Sequence, residues 1–464
     1  GTWSANNLVD NVWGHYYEGI RAANFYLKET AGLTFDEWKY SDDYEAIMKE
    51  FTNYQYEVRF LRAYFYFELI KRYRNIPFVL DVLAQNEANG VNPESYEKIA
   101  KFIVDECSDL AQILPVNYDN FSTKEKGRVT RAAAMALKSR VTLYMASPLF
   151  SEDSEDKWKQ AAEAAYDIIK QKTDLGLDLV PYPQIFNDVN NQKAEVILYR
   201  PTGESGDFEK ANFPIGVEGG KTSTCPTQNL MEAYDMKDGT PFVWNNQSNP
   251  YDNRDPRMKY TIVCNEMKWP VDPVEIWEGG TNGLPLQNAT TTGYYLKKYV
   301  NNTISFEAGS TVTKKQHNWV LFRYGEILLN YAEAMINAFH DPNYKDAVYN
   351  MSAREAVNQI RGRTNISLPG FPSDITEKDF VKRLKNERRV ELAFEGHRFW
   401  DVRRWKELGQ TANIYGVKIT KNNEVISYEK FLLETRAVTD NMYFYPIPNT
   451  ERFKNPNLGQ NPGW

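Results

Sequence analysis

Four histidines, three cysteines and 62 acidic residues are the side chains from which this chain could build catalysis. His15, His317, His340 and His397 stand far apart, and none falls in the His-Glu-x-x-His spacing that sets two imidazoles on one helix face. They read as surface or hydrogen-bonded core residues. Cys107, Cys225 and Cys264 are isolated, without the paired spacing of a disulfide framework or a zinc site. Gly216-Val217-Glu218-Gly219-Gly220-Lys221-Thr222 looks like a phosphate-cradling loop, but its leading glycine comes one residue late, because Ile215 occupies the position the spacing requires. Glycoside hydrolysis needs two carboxylates about 5 Å or about 6.5–9.5 Å apart, and with 62 Asp and Glu the sequence neither nominates nor excludes such a pair. The expectation is a protein without catalytic residues, metal ligands or cofactor.

Binding chemistry is better provided for. The chain carries 11 Trp, 30 Tyr and 24 Phe. Trp244, Trp269 and Trp277, with Phe208, Phe213, Tyr294 and Tyr295, fall in a stretch rich in Gly, Pro, Thr and Asn. A sugar ring has an apolar C–H face and a rim of hydroxyls, so it is bound by exposed aromatic planes edged with amides or carboxylates. Asn212, Asn265, Asp272, Asn282 and Gln287 are neighbours of that kind. Trp244, Trp269, Trp277, Asn212, Asp272, Asn282 and Tyr294 are therefore the candidate ligand-binding residues. The competing reading, equally open residue by residue, makes these aromatics the local core of a large loop.

Net charge is −7 and the pI about 5.5, which argues against polyanionic partners, nucleic acid among them. Eight Lys and Arg lie between Lys382 and Arg404, but acids are interleaved among them, so a solvated or internally paired helix face is the better reading. No run approaches the roughly 18 apolar residues of a membrane span.

These residues have to be positioned by helices. Apolar positions near a 3.6-residue period predict helices over Trp13–Lys28, Tyr44–Tyr73 and Pro93–Leu114, the last closed by Pro115. Ala132, Ala133, Ala134 and Ala136 open a pair of helices joined by the loop Ser147–Glu155, and a similar pair is expected at Phe322–Phe339 and Tyr344–Ile360. Small residues where two backbones approach describe tetratricopeptide-like units, each leaving an apolar face that only a neighbour can cover. The fold class expected is all-α: about four stacked helix pairs with a large irregular, loop-rich insertion. The segments are residues 1–199 (helical repeats), 200–318 (the ligand-binding insertion), 319–410 (further repeats) and 411–464 (a hairpin and tail packing on the repeats).

A further helix begins after Thr376, a natural N-cap, with Phe380, Val381, Leu384 and Leu392 on its apolar stripe. Arg388 stands where that stripe calls for an aliphatic residue. A charge there requires a hydrogen-bonded partner, and Glu391 or Glu395 is within one-turn reach. Gly396 ends or kinks the helix, and Phe399, Trp400, Val402 and Trp405 form a second short one.

Glu387-Arg388, Glu391-Leu392, Phe394-Glu395-Gly396, Arg398, Asp401 and Arg404-Trp405 together resemble the signature of the SusD/RagB family. Three other blocks match in family order: Arg59–Tyr64 with Pro77–Val79, Thr224–Leu230 with Asn253–Met258, and Tyr445–Pro448 with Gln460–Trp464. The resemblance implies a glycan-binding lipoprotein on the extracellular face of the outer membrane, which delivers its ligand to a TonB-dependent SusC-like transporter. It implies a structural role for Arg388, Glu391, Glu395, Arg398 and Asp401. It also implies a lipidated cysteine and a further stretch before Trp3, to which part of the ligand site belongs, and membrane contact through that lipid alone. The chain itself opens Gly1-Thr2-Trp3, with no signal-peptide pattern. The alternatives are a glycoside hydrolase and an intracellular repeat adaptor that binds peptides.

Overall fold

A computed structural model describes residues 3–121, 125–152, 154–245, 249–307 and 313–464. The chain forms two compact units. One holds Gly1–Gly176, Arg403–Lys406 and Val438–Trp464, the other Leu177–Val402 and Glu407–Ala437. Short returns of the chain, Arg403–Lys406 and Val438–Trp464, join a unit begun hundreds of residues earlier.

The first unit stacks α1 (Trp13–Glu29), α2 (Tyr44–Tyr73), α3 (Tyr96–Ile113), α4 (Arg131–Ala146) and α5 (Glu155–Lys170), each packed on the next. The expected all-α architecture of tetratricopeptide-like helix pairs is thus present. Ala133, Ala134 and Ala136 of α4 are fully buried, which lets its neighbours approach closely on both sides. Helix α3 starts three residues later than periodicity suggests. Pro93–Glu94 instead pairs with Ile76–Pro77 as a two-residue ladder, and the Ser95 hydroxyl caps α3 by accepting the Lys98 amide at 3.2 Å. Leu114 is extended before Pro115, as the proline requires. The Arg59–Tyr64 block clips three helices together: Arg59 donates to Glu106 and Asp109 of α3, and Arg62 donates to Asn24 of α1 at 2.9 Å. The tail belongs to this unit, with the Tyr445 amide on the Arg72 carbonyl and Trp3 against Trp464 at 4.8 Å.

In the second unit, strands β1 (Val196–Pro201) and β2 (Asn318–Arg323) pair antiparallel, a ribbon closing the two ends of the irregular stretch. Helix α6 (Tyr324–Phe339) leaves β2 directly, so the expected start at Phe322 falls in strand. Helix α7 (Ala353–Arg361) begins nine residues later than expected at Tyr344, where Ser352 and Glu355 form a capping box. Helix α8 (Glu377–Glu391) is capped by Thr376, and α9 (Arg398–Arg404) follows a turn containing Gly396 at φ 78°. Strands β3 (Asn413–Asn422) and β4 (Val425–Thr435) make the expected hairpin. Val417, Ile419 and Tyr428 join Phe213, Met231, Tyr251, Ile262, Trp269 and Tyr295 of the irregular stretch, together with Val390 of α8, in one core. Gly293, at φ 84°, permits this: a Cβ there would lie 2.5 Å from the Val417 side chain.

Candidate functional site

Helix α8 carries two rows of charge into the second unit. On one, Arg388 is buried, donating to Asn330 of α6 at 2.8 Å and through Nε and Nη2 to the Asp401 carboxylate at 3.3 and 3.4 Å. The spacing within the helix had pointed to Glu391 or Glu395 as its partner. That expectation is corrected: both glutamates turn to cations from distant segments, which compete successfully for them.

Glu391 accepts from Arg257, Arg323 and Arg363 at 2.8–2.9 Å. Glu395, just beyond the helix, accepts from Arg323 at 2.7 and 2.9 Å and from Lys298 at 2.8 Å. Glu195 completes the layer by accepting from Arg323 and Arg363, while Glu387 accepts from Arg361 at 2.9 Å. Burial alone would push the Glu391 carboxyl up, but Arg363, Arg323 and Arg257 together hold it well below the usual carboxylate range. Glu387 and Glu395 are lowered in the same way, against burial, by Arg257 with Arg361 and by Arg323 with Lys298. Burial pushes the Lys298 ammonium down to about 8, with Glu395 pulling it back up. Every member faces another, and the side chains of the layer are buried. Arg398 differs. It is half-buried and donates to the Gln410 side chain at 2.8 Å.

The sequence-derived binding residues are scattered through the irregular stretch, and four of them are closed off. Trp269 is 6 % exposed and Tyr294 wholly buried, its hydroxyl on Gln228 at 2.6 Å. Asn212 is buried between the Phe208 carbonyl and the Thr224 amide. Asn282 is buried between the Glu275 amide and the Ile215 carbonyl. The cause is common to both asparagines. A stretch with little regular structure leaves peptide groups unpaired, and side-chain amides satisfy them. Trp244 and Trp277 are half-buried on the same core, and Asp272 is exposed. Lys421 Nζ lies 4.3 Å from the Trp277 ring centre, a cation–π contact covering one face.

Composition concealed another aromatic surface, in the connection between α1 and α2. Trp38 is 51 % and Tyr40 88 % exposed. Phe35 stacks on Trp38 and meets Phe51 of α2 edge-on at 4.8 Å, anchoring the loop. These rings interrupt no periodic pattern, and only the geometry separates them from core aromatics.

The remaining chemical groups are occupied or dispersed. His317 lies 3.1 Å from Glu209 and stacks on Trp319; His340 bonds Glu377 at the surface, and His15 is exposed. Cys107 and Cys264 are buried free thiols. Among the described residues, no group of three or more His, Cys, Asp or Glu is arranged to hold a metal ion, and no helix is long and apolar enough to cross a membrane.

The same architecture recurs in solved proteins. The chain is similar to a SusD-like carbohydrate-binding protein from Bacteroides fragilis, with 26 % identity, TM-score 0.80, and 99 % of this chain and 88 % of that one covered. A second SusD-like protein from Bacteroides fragilis matches at 26 % identity and TM-score 0.79, over 100 % of this chain and 88 % of its own. SusD-like protein P2 from Formosa agariphila is 23 % identical over 99 % of this chain and 81 % of that protein. Residues 2–143 match a family profile described as starch-binding associating with outer membrane. Residues 185–464, which carry the ion layer, the irregular stretch and the hairpin, match the profile of the SusD family, and the chain belongs to that family.

Proposed function

We propose that this protein is a non-catalytic, cell-surface glycan-binding protein of the outer membrane. It captures an oligo- or polysaccharide and passes it to a TonB-dependent SusC-like transporter, held at the extracellular face by a lipid anchor. The observation that carries the reading is the similarity, along the whole chain, to a solved SusD-like carbohydrate-binding protein. The chemistry of the second unit supports it: Trp277 and Trp244 retain accessible surface on the irregular stretch, with Asp272 exposed nearby in sequence.

Stacking a sugar on one indole buries on the order of 80 Å² of apolar surface, about 2 kcal/mol. Two such contacts with rim hydrogen bonds, less the cost of ordering the glycan, leave roughly 4–6 kcal/mol. The dissociation constant then falls between about 1 mM and some tens of micromolar, weak enough for a ligand that must be handed on. A glycan array followed by calorimetry tests this. Trp277→Ala should lower affinity for the ligand found by at least about tenfold with an unchanged melting temperature. Mass analysis of that ligand after incubation should find it intact. Turnover by protein free of contaminating hydrolases would make the chain an enzyme instead.

A further inference from the structure

A groove of about 850 Å³ lies in the second unit, between α8 and the segment around Glu232–Phe242. Three arginines line it: Arg383 meets Asp235 at 3.6 Å, while neither Arg389 nor Arg398 meets a carboxylate within 4.0 Å among the described residues. Each of the latter two makes one hydrogen bond, to a neutral acceptor: Arg389 Nη2 to the Asn229 carbonyl at 2.7 Å and Arg398 Nη2 to Gln410 at 2.8 Å. A guanidinium has five N–H donors, so most of theirs are unused. Of the unit's buried arginines, Arg257, Arg323, Arg361, Arg363 and Arg388 meet carboxylates, while Arg254 is held by the Pro250, Met231 and Tyr234 carbonyls.

Acids act on this pair only at a distance, Glu232 on Arg389 and Asp401 with Glu407 on Arg398, and those of the groove have closer partners. Glu232 is taken by Lys430, Glu407 by Lys385, and Asp235 by Arg361 with Arg383. Lys378 and Lys382 stand exposed on the rim with Asp374 and Asp379, and the Asp379 carboxylate accepts the Thr376 hydroxyl. Burial, and then Arg398, push the Arg389 guanidinium down to about 10. Two cations that repel each other in a partly dry groove are costly until an anion joins them.

We propose that this groove binds an acidic sugar residue, its carboxylate or sulfate lodged between Arg389 and Arg398. Paired planar N–H donors fit such oxyanions bidentately. Pro241, Phe242 and Pro372 offer an apolar wall for the C–H face of the ring. The inference rests on the glycan-binding reading and adds a preference for acidic over neutral glycans.

The test uses affinity electrophoresis and calorimetry of the full chain with polygalacturonate and dextran sulfate, against starch and dextran as neutral references. At least one acidic polymer should bind, more weakly as salt rises. Arg398→Gln should weaken it at least about tenfold. Because Arg398 could also serve the fold, the exposed Lys382→Glu is read beside it and should weaken the same polymer. Lys101→Glu, an equal charge change on α3 of the other unit, should leave it unaffected. Equal loss in Lys382→Glu and Lys101→Glu would reduce the effect to net charge and overturn the proposal. Unchanged affinity in both Arg398→Gln and Lys382→Glu would overturn it too. Binding of starch or dextran without either acidic polymer would remove this inference and leave glycan binding standing; binding of none of the four would remove both.

Discussion

At the scale of single residues, burial was legible where a charge interrupted an apolar stripe. Arg388 is such a case, and it is 1 % exposed. Its partner was not legible, since helical spacing ranks only neighbours on the same helix, whereas Asp401 comes from another helix and Asn330 from 58 residues upstream. Arg388→Ala would strand the Asp401 carboxylate without its cation, at about 3–5 kcal/mol. Thermal unfolding should show a clear loss of melting temperature, and calorimetry at a temperature where the variant is folded should show glycan affinity unchanged. Loss of affinity at full stability would move Arg388 into the binding site. The aromatics teach the converse lesson. Their number announced a surface, but Trp269 and Tyr294 are core while Trp38 and Tyr40 are exposed. Exposure depends on what packs from elsewhere, and a loop's own sequence does not record that.

At the scale of elements, the stacked helices were legible because apolar periodicity marks α1 and α2 and alanine placement marks α4 and α5. The ribbon of β1 and β2 was not, since Asn318–Arg323 runs without a break into α6 and its partner lies more than 100 residues earlier. That ribbon and α8 are fastened by the carboxylate layer, which predicts a pH dependence. Glu387, Glu391 and Glu395 all sit below their ordinary value near 4.5. Between that value and the lower folded one, the unfolded chain binds more protons, so stability falls as pH falls. The contribution is complete above about pH 4.5 and is lost progressively below it. Melting temperatures from pH 7 to pH 3 should hold steady and then descend. Glu391→Gln, which leaves three guanidiniums short of a charge, should cost about 3–5 kcal/mol at neutral pH. It should also make the acid descent shallower. An equally steep descent in that variant would assign acid sensitivity to other groups.

At the scale of the whole molecule, family membership was legible because the matched blocks run from Arg59 to the final tryptophan, and the comparisons extend along nearly the entire chain. The partition into two units was not, because it depends on where Arg403–Lys406 and Val438–Trp464 return. One of those returns has a consequence for how the polypeptide can be re-cut. Trp3 lies against Trp464, and the Asn449 amide bonds the Ala5 carbonyl, so residues 3–5 and the last stretch of this sequence lie side by side. A linker of about six glycines and serines, reaching about 20 Å, spans the gap between them with slack. Circular permutation at the exposed Gly32–Leu33 turn, with Trp464 joined to Trp3, should yield a chain with native circular dichroism and native glycan affinity. A permutant that fails to fold would show that α1 must be covalently continuous with α2, and that ring closure at the tryptophans does not replace that link.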